Sequence, residues 1–198
     1  MSDPQRFRLV LASASPRRRE LLTQAGYVFT VEAADIDEMQ RAGESPAGYV
    51  CHLAEEKAQA VFAKHLDNSN LIVLGADTTV VLDGEILGKP ANAAEAKHML
   101  RRLSGRTHQV LTGIAAATRE GVRSAIESTS VTFSVIPEVE LDAYCATAEP
   151  LDKAGAYGIQ GYAARWVPRI DGCYFNVMGL PIARTVALLQ AAAERLRT

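Results

Sequence analysis

Short apolar runs bounded by turn residues alternate along this chain with stretches in which apolar residues recur every three or four positions, the pattern of strands interleaved with helices. Leu9–Val10–Leu11–Ala12 reads as a strand that ends at Ser13. A helix follows at once, with Ser15 suited to its N-cap and Pro16 to its first position. Gly26 ends that helix, and Tyr27–Val28–Phe29–Thr30–Val31 reads as a second strand. Ser45–Pro46 opens a long helix to about His65, with an apolar stripe at Val50, Leu53, Ala54, Ala58 and Val61. Leu71–Ile72–Val73–Leu74–Gly75–Ala76 is the most apolar run and predicts a central strand, covered on both faces and ending at Asp77–Thr78. A second β-branched run, Thr79–Leu82, turns at Asp83–Gly84 and returns through Glu85–Ile86–Leu87 to Gly88–Lys89–Pro90.

The second half is richer in β signals. Asn92 caps a helix through Leu103, stopped by Ser104–Gly105, and two long β segments, Thr107–Thr118 and Val122–Val135, join at Glu120–Gly121. A short helix is expected near Leu141–Tyr144. Trp166–Val167 and Cys173–Tyr174–Phe175 flank Asp171–Gly172 as a further hairpin, and Leu180–Pro181 starts the final amphipathic helix. The implied fold class is α/β, one mixed twisted sheet flanked by helices, with two lobes around a cleft as a permitted variant and residues 1–198 as a single domain.

Composition removes several function classes. A net charge of −2 supplies no global cationic field, so a dedicated nucleic-acid binder is not expected. No apolar run approaches the ~18 residues that span a membrane, and the N-terminal Met1–Arg6 is polar rather than a signal peptide, so a cytoplasmic protein is expected. Cys51, Cys145 and Cys173 lack any C-x-x-C spacing and read as reduced structural thiols; His52, His65, His98 and His108 are scattered without zinc-ligand spacing. Any metal is then expected to bind through carboxylate and phosphate oxygens, which suits magnesium or manganese.

Four places carry candidate chemistry. Arg17, Arg18 and Arg19 occupy a first helical turn, where the macrodipole favours anions; with the free N–H groups and the Ser13 and Ser15 hydroxyls they form either a phosphate cradle or a solvated basic patch. The turn lacks the glycines of a P-loop or a dinucleotide fingerprint. Asp35–Ile36–Asp37–Glu38 is either an exposed turn or a hard-cation cluster, and Lys57 falls inside the apolar stripe of its helix, where it snorkels to the rim or points at a ligand. Asp77, at the expected end of the central strand, is a candidate base or metal ligand, with Lys89 brought back near it by the hairpin. The glycine-rich stretch Asp152–Gly161 is either a flexible surface loop or backbone that approaches something closely.

Taken in order, Ser13–x–Ser–Pro–Arg–Arg, Asp37–Glu38, Glu56–Lys57–Ala58, Gly75–Ala76–Asp77–Thr78, Gly88–Lys89–Pro90 and Lys153–Ala154–Gly155–Ala156–Tyr157–Gly158–Ile159–Gln160–Gly161 resemble the Maf family of nucleoside triphosphate pyrophosphatases. The resemblance runs from Leu9 to the last helix. It implies hydrolysis of a nucleoside triphosphate between its α and β phosphates with a divalent cation, magnesium or manganese. By motif position it implies Asp77 as general base, Ser13, Arg17, Arg18, Lys57 and Lys89 as the phosphate site, and Glu38 with Asp77 beside the metal. Arg17, Thr78 and Gln160 resemble the branch acting on dTTP and UTP; the 7-methyl-GTP branch carries tryptophan, glutamine and glutamate at the matching places. Thr79 and Met178 depart from the motifs without touching a proposed role. The same family reputation admits an alternative, a non-catalytic, nucleotide-responsive regulator of septum formation. The oligomeric state is left open, with a homodimer admitted.

Overall fold

The computed structural model describes residues 7–196, so the polar stretch Met1–Arg6 lies outside the described residues. One mixed sheet of seven strands forms from β1 (Arg8–Leu11), β2 (Thr30–Val31), β3 (Leu71–Leu82), β4 (Glu85–Leu87), β5 (Thr107–Thr118), β6 (Gly121–Thr132) and β7 (Arg169–Asp171). The order is β2-β1-β3-β5-β6-β7, with β4 pairing β3. β1 is parallel to both β2 and β3, whereas β3–β4 and β6–β7 are antiparallel. The helices are α1 (Pro16–Gln24), α2 (Pro46–Phe62), α3 (Ala93–Leu103), α4 (Glu138–Cys145), α5 (Tyr174–Met178) and α6 (Ile182–Arg195). The α/β class with a mixed sheet and flanking helices is therefore as expected.

Helix starts follow local chemistry. The Ser15 hydroxyl accepts from the Arg18 N–H (3.5 Å), Ser45 from Gly48 (3.1 Å) and Asn92 from Glu95 (3.0 Å), and proline follows the first two caps. α1 ends in a paired N–H motif, Gly26 to the Thr23 carbonyl and Tyr27 to the Leu22 carbonyl, with Gly26 at φ +82°. This closure consumes the first residue of the strand expected from Tyr27, and only Thr30–Val31 pairs with β1.

Two further expectations are corrected. β3 does not end at Asp77–Thr78 but runs unbroken to Leu82. Its parallel partner does end early: the β1 register stops at Leu11 opposite Leu74, and antiparallel pairing with β4 starts only at Val80. Asp77 thus lies just past the carboxyl end of the parallel part of a longer strand, the position in α/β sheets where ligand groups collect. The hairpin expected around Asp171–Gly172 is also not formed. Arg169–Asp171 pairs with β6, but Tyr174–Met178 is helical. Thr129 causes the break: its Oγ1 accepts from the Cys173 N–H (3.0 Å) and from Asn176 Nδ2 (2.9 Å), drawing the chain into a turn after Gly172 at φ +124°.

The chain packs as two compact units. The first takes the chain up to Asp77, Thr112–Glu127 and the chain from Gly179 onward; the second is Thr78–Leu111 with Ser128–Met178. In the first unit α2 lies on the sheet backbone to backbone. A Cβ at Gly75 would sit 2.1 Å from the Ala54 carbonyl oxygen, and one at Gly113 2.1 Å from that of Val50. Around this contact Val10, Ala12, Ala54, Ala58, Val61, Leu71, Val73, Ala115 and Ala117 form a buried cluster. The second unit has an aromatic interior, with Phe133 and Tyr157 at 4.8 Å between ring centroids and Tyr144 edge-on to Trp166 at 5.2 Å. Among the described residues no helix is long and apolar enough to cross a membrane.

Candidate functional site

The close seating of α2 on β3 decides where Lys57 goes. Gly75 and Asp77 point to the same face of β3, two residues apart, and Ala54 and Ala58 cover Gly75. One helical position before Ala58, Lys57 is only 8% exposed, and its ammonium donates to Asp77 Oδ1 at 2.7 Å. The same Nζ lies 2.6 Å from Glu38 Oε1. A lysine inside an apolar stripe is thereby compensated by two carboxylates, one buried and one half-exposed.

The acidic connection separates into two uses. Asp37 Oδ1 accepts from the Met39 N–H at 3.0 Å and shapes the turn, while Glu38 reaches Lys57. Further contacts tie this segment to α2: the Tyr49 hydroxyl donates to the Glu38 carbonyl (3.0 Å), Arg41 pairs with Glu56, and His52 pairs with Glu44. Burial, with the negative charges of Asp77, Glu38 and Glu44, pushes the Tyr49 phenol up to about 12, so it stays a neutral donor. Tyr49 was missed from sequence; its spacing of eight residues from Lys57, two turns along one face, was the available signal.

The arginine turn divides its three side chains as helical geometry requires, since successive residues point about 100° apart. Arg18 turns inward. Its Nε donates to the Gly179 carbonyl (2.9 Å), and its Nη1 to the Ala76 carbonyl (2.8 Å) and the Ser13 hydroxyl (3.1 Å). Burial lowers its pKa and the Asp77 charge pulls it back up; a guanidinium stays charged under either influence. Arg18 therefore fixes the Ser13 turn against the strand residue that precedes Asp77. Arg17 and Arg19 instead line an open surface hollow of about 360 Å³ with Pro16, Glu20 and Thr23, lined by none of Ser13, Arg18, Lys57 or Asp77.

Ser13, Arg18, Glu38, Lys57 and Asp77 are thus brought into one connected group within the first unit. Thr78, Lys89 and Gln160 belong to the second unit. There the stretch after Asp152 is a series of tight turns with Gly155, Ala156, Tyr157 and Ile159 buried and Gln160 exposed, so a flexible surface loop does not describe it. Among the described residues no group of three or more His, Cys, Asp or Glu side chains could hold a metal ion by itself, and Cys51, Cys145 and Cys173 are free thiols. The donor set beside Lys57 is two carboxylates. That is the partial, all-oxygen set with which magnesium or manganese binds when substrate phosphates complete the shell, and it lacks the nitrogen and sulfur that zinc favours.

A family model described as Maf-like protein matches residues 8–192. A curated dTTP/UTP pyrophosphatase of Hahella chejuensis is 50% identical over 188 residues, covering 95% of this chain and 94% of its own. One from Shewanella oneidensis is 51% identical over 189 residues, covering 93% and 97%. Among solved structures, the Staphylococcus aureus Ham1 protein aligns over 93% of this chain and 99% of its own with a TM-score of 0.52 at 16% identity, a likeness of fold.

Proposed function

This chain belongs to the Maf family, and from that premise we propose that it hydrolyses dTTP and UTP between the α and β phosphates, releasing a nucleoside monophosphate and pyrophosphate. The observation that carries the reading is the convergence of Glu38 and Asp77 on the buried Lys57 ammonium, one strand residue beyond the Ala76 carbonyl that Arg18 grips. Two anions and a cation held this closely are more than a passive nucleotide pocket needs, which favours catalysis over a purely regulatory binding role.

Each side chain has a part. Lys57 donates to Asp77 Oδ1 and fixes the orientation of the carboxylate; Oδ2 is then the oxygen that accepts a proton from the attacking water. Glu38 shares the same ammonium and completes a set of two carboxylates for a divalent ion. Magnesium or manganese held there supplies charge neutralisation to the triphosphate and acidity to bound water. Ser13 and Lys57 are the phosphate-contacting side chains of this group, whereas Arg17 and Lys89 are assigned to phosphate by motif position alone; guanidinium and ammonium donors stabilise the charge that grows on the departing pyrophosphate. Arg18, committed to two carbonyls and the Ser13 hydroxyl, lends its positive charge to the site and orders the turn. Thr78 and Gln160 select the base, the Gln160 amide both donating to and accepting from a uracil or thymine edge.

The test is a panel of nucleoside triphosphates with magnesium or manganese, in which monophosphate plus pyrophosphate is separated from diphosphate plus phosphate. dTTP and UTP are expected to give pyrophosphate, and Asp77→Asn to lower turnover by at least ~100-fold, as loss of a general base does. Near-normal turnover in that variant removes Asp77 from the role.

A further inference from the structure

The turn that presents Gln160 is tied down from inside the second unit. The Gly161 N–H donates to the Gly158 carbonyl at 3.0 Å, leaving Gln160 exposed at the tip with Ile159 buried beneath. On its far side the Tyr162 N–H donates to Glu149 Oε1 at 3.2 Å. On its near side Tyr157 is buried, and its hydroxyl lies 2.7 Å from His108 Nε2 on β5. The two rings meet edge to face at 5.4 Å, and Phe133 packs against both, at 5.0 Å from His108 and 4.8 Å from Tyr157. Just upstream, Gly155 and Ala156 both adopt left-handed backbone, at φ +66° and +62°. Gly155 has no room for a side chain, since a Cβ there would lie 2.8 Å from Val80 Cγ2, and its N–H donates to the Gly88 carbonyl, the residue before Lys89.

As a contribution to stability the His108–Tyr157 pair is a poor choice. Two polar groups are buried among aromatic rings for one hydrogen bond, and His108 Nδ1 is buried with no partner. Burial also drives the imidazole down to about 4, so it is neutral and brings no charge-assisted bond. Phenylalanine at both positions would pack in the same space without desolvating a polar atom. What the pair does supply is direction, because the hydrogen bond allows only one placement of Tyr157 along its pocket, and the strained Gly155–Ala156 turn persists only where its surroundings over-determine it.

We propose that His108 and Tyr157 are positioning residues for base selection: their hydrogen bond sets the register of the Tyr157–Gly161 turn and so the placement of the Gln160 amide. The inference rests on the reading of Gln160 as the group that reads the pyrimidine edge. A displaced amide leaves polar atoms of the correct base unpaired, and that loss falls on discrimination and on KM rather than on the chemical step.

The experiment compares wild type, Tyr157→Phe, the double variant His108→Phe/Tyr157→Phe, and Gln160→Leu, measuring kcat and KM for UTP and CTP together with thermal midpoints. The double variant is expected to melt at or above the wild-type temperature, to keep its kcat on UTP, to raise KM for UTP, and to lose about tenfold in the UTP-to-CTP ratio of kcat/KM, the scale of one misplaced hydrogen bond. Tyr157→Phe, which removes a single oxygen and opens no cavity, is expected to shift the ratio in the same direction and guards against a double variant that fails to fold. An unchanged ratio in both pair variants, while Gln160→Leu lowers it, overturns the proposal and leaves the role of Gln160 standing. An unchanged ratio in Gln160→Leu overturns the reading of Gln160 and the proposal with it.

Discussion

The two units bury polar groups in opposite ways. In the first, Lys57 is buried as a cation and meets two carboxylates within 2.7 Å; in the second, His108 is buried neutral against a phenol. A buried charge is tolerable only with its partners in place, so the Lys57 group is strongly directional and chemically reactive, fit to hold a base and neutralise phosphate. A neutral pair carries little energy and no net charge, so it can fix geometry without disturbing the field around it. On the proposed function, reactivity belongs to the first unit and placement of the base to the second.

The sharpest way to break this contrast is to remove the cation. Lys57→Met takes from Asp77 and Glu38 the ammonium they share and leaves only the Arg18 charge nearby, and it is expected to cost about 3 kcal/mol of stability and at least ~100-fold in turnover. Urea unfolding and steady-state kinetics check both. A variant as stable as wild type would mean that the ammonium is no more structural than His108, and the difference between the units would collapse.

A smaller effect is expected from Gly75→Ala. The added Cβ meets the Ala54 carbonyl at 2.1 Å and the Ala58 nitrogen at 2.8 Å, both backbone, so α2 must back away from β3. Overpacking of this kind costs about 1–3 kcal/mol. Because the same seating aims Lys57 at Asp77, turnover should fall by about tenfold, as sub-ångström to ångström misplacements do. A loss of stability with full activity would show that the Lys57–Asp77 distance does not depend on the glycine contact.

What was legible in the sequence was local. Caps at Ser15, Ser45 and Asn92 and the Asp83–Gly84 turn depend on neighbours a few residues away, and they formed where the pattern put them. Lys57 was legible as a misfit, a cation in an apolar stripe. Less visible was anything decided by distant partners. Two β runs around Asp77 became one strand because β1 and β4 support its two ends separately. Thr129, over forty residues upstream, turned an expected strand at Cys173 into a helix. Three consecutive arginines give no hint of which faces inward; the carbonyls of Ala76 and Gly179 select Arg18. Tyr49 escaped notice because an aromatic on a helix face most often means core, and only the Glu38 carbonyl gives its hydroxyl a purpose.

The mildest test bears on the neutral half of the contrast. Burial holds His108 near 4, below the ordinary value of 6.5, so the folded state resists protonation while the unfolded chain accepts it. Between those values the unfolded state binds more protons, and stability therefore rises with pH: the contribution is fully present above about 6.5 and is lost as pH falls toward 4. At pH 5 the loss amounts to about 2 kcal/mol, or roughly 4–8 °C in the thermal midpoint of a chain this size. Carboxylates paired in the fold also weaken it in acid, but they do so equally in wild type and in His108→Phe. The difference between the two melting curves from pH 7 to pH 5 therefore isolates the imidazole. If His108 is buried neutral, the wild type loses those degrees and the variant does not. Parallel curves would mean that the imidazole takes up its proton in place, and the second unit would then hold a buried cation much as the first does.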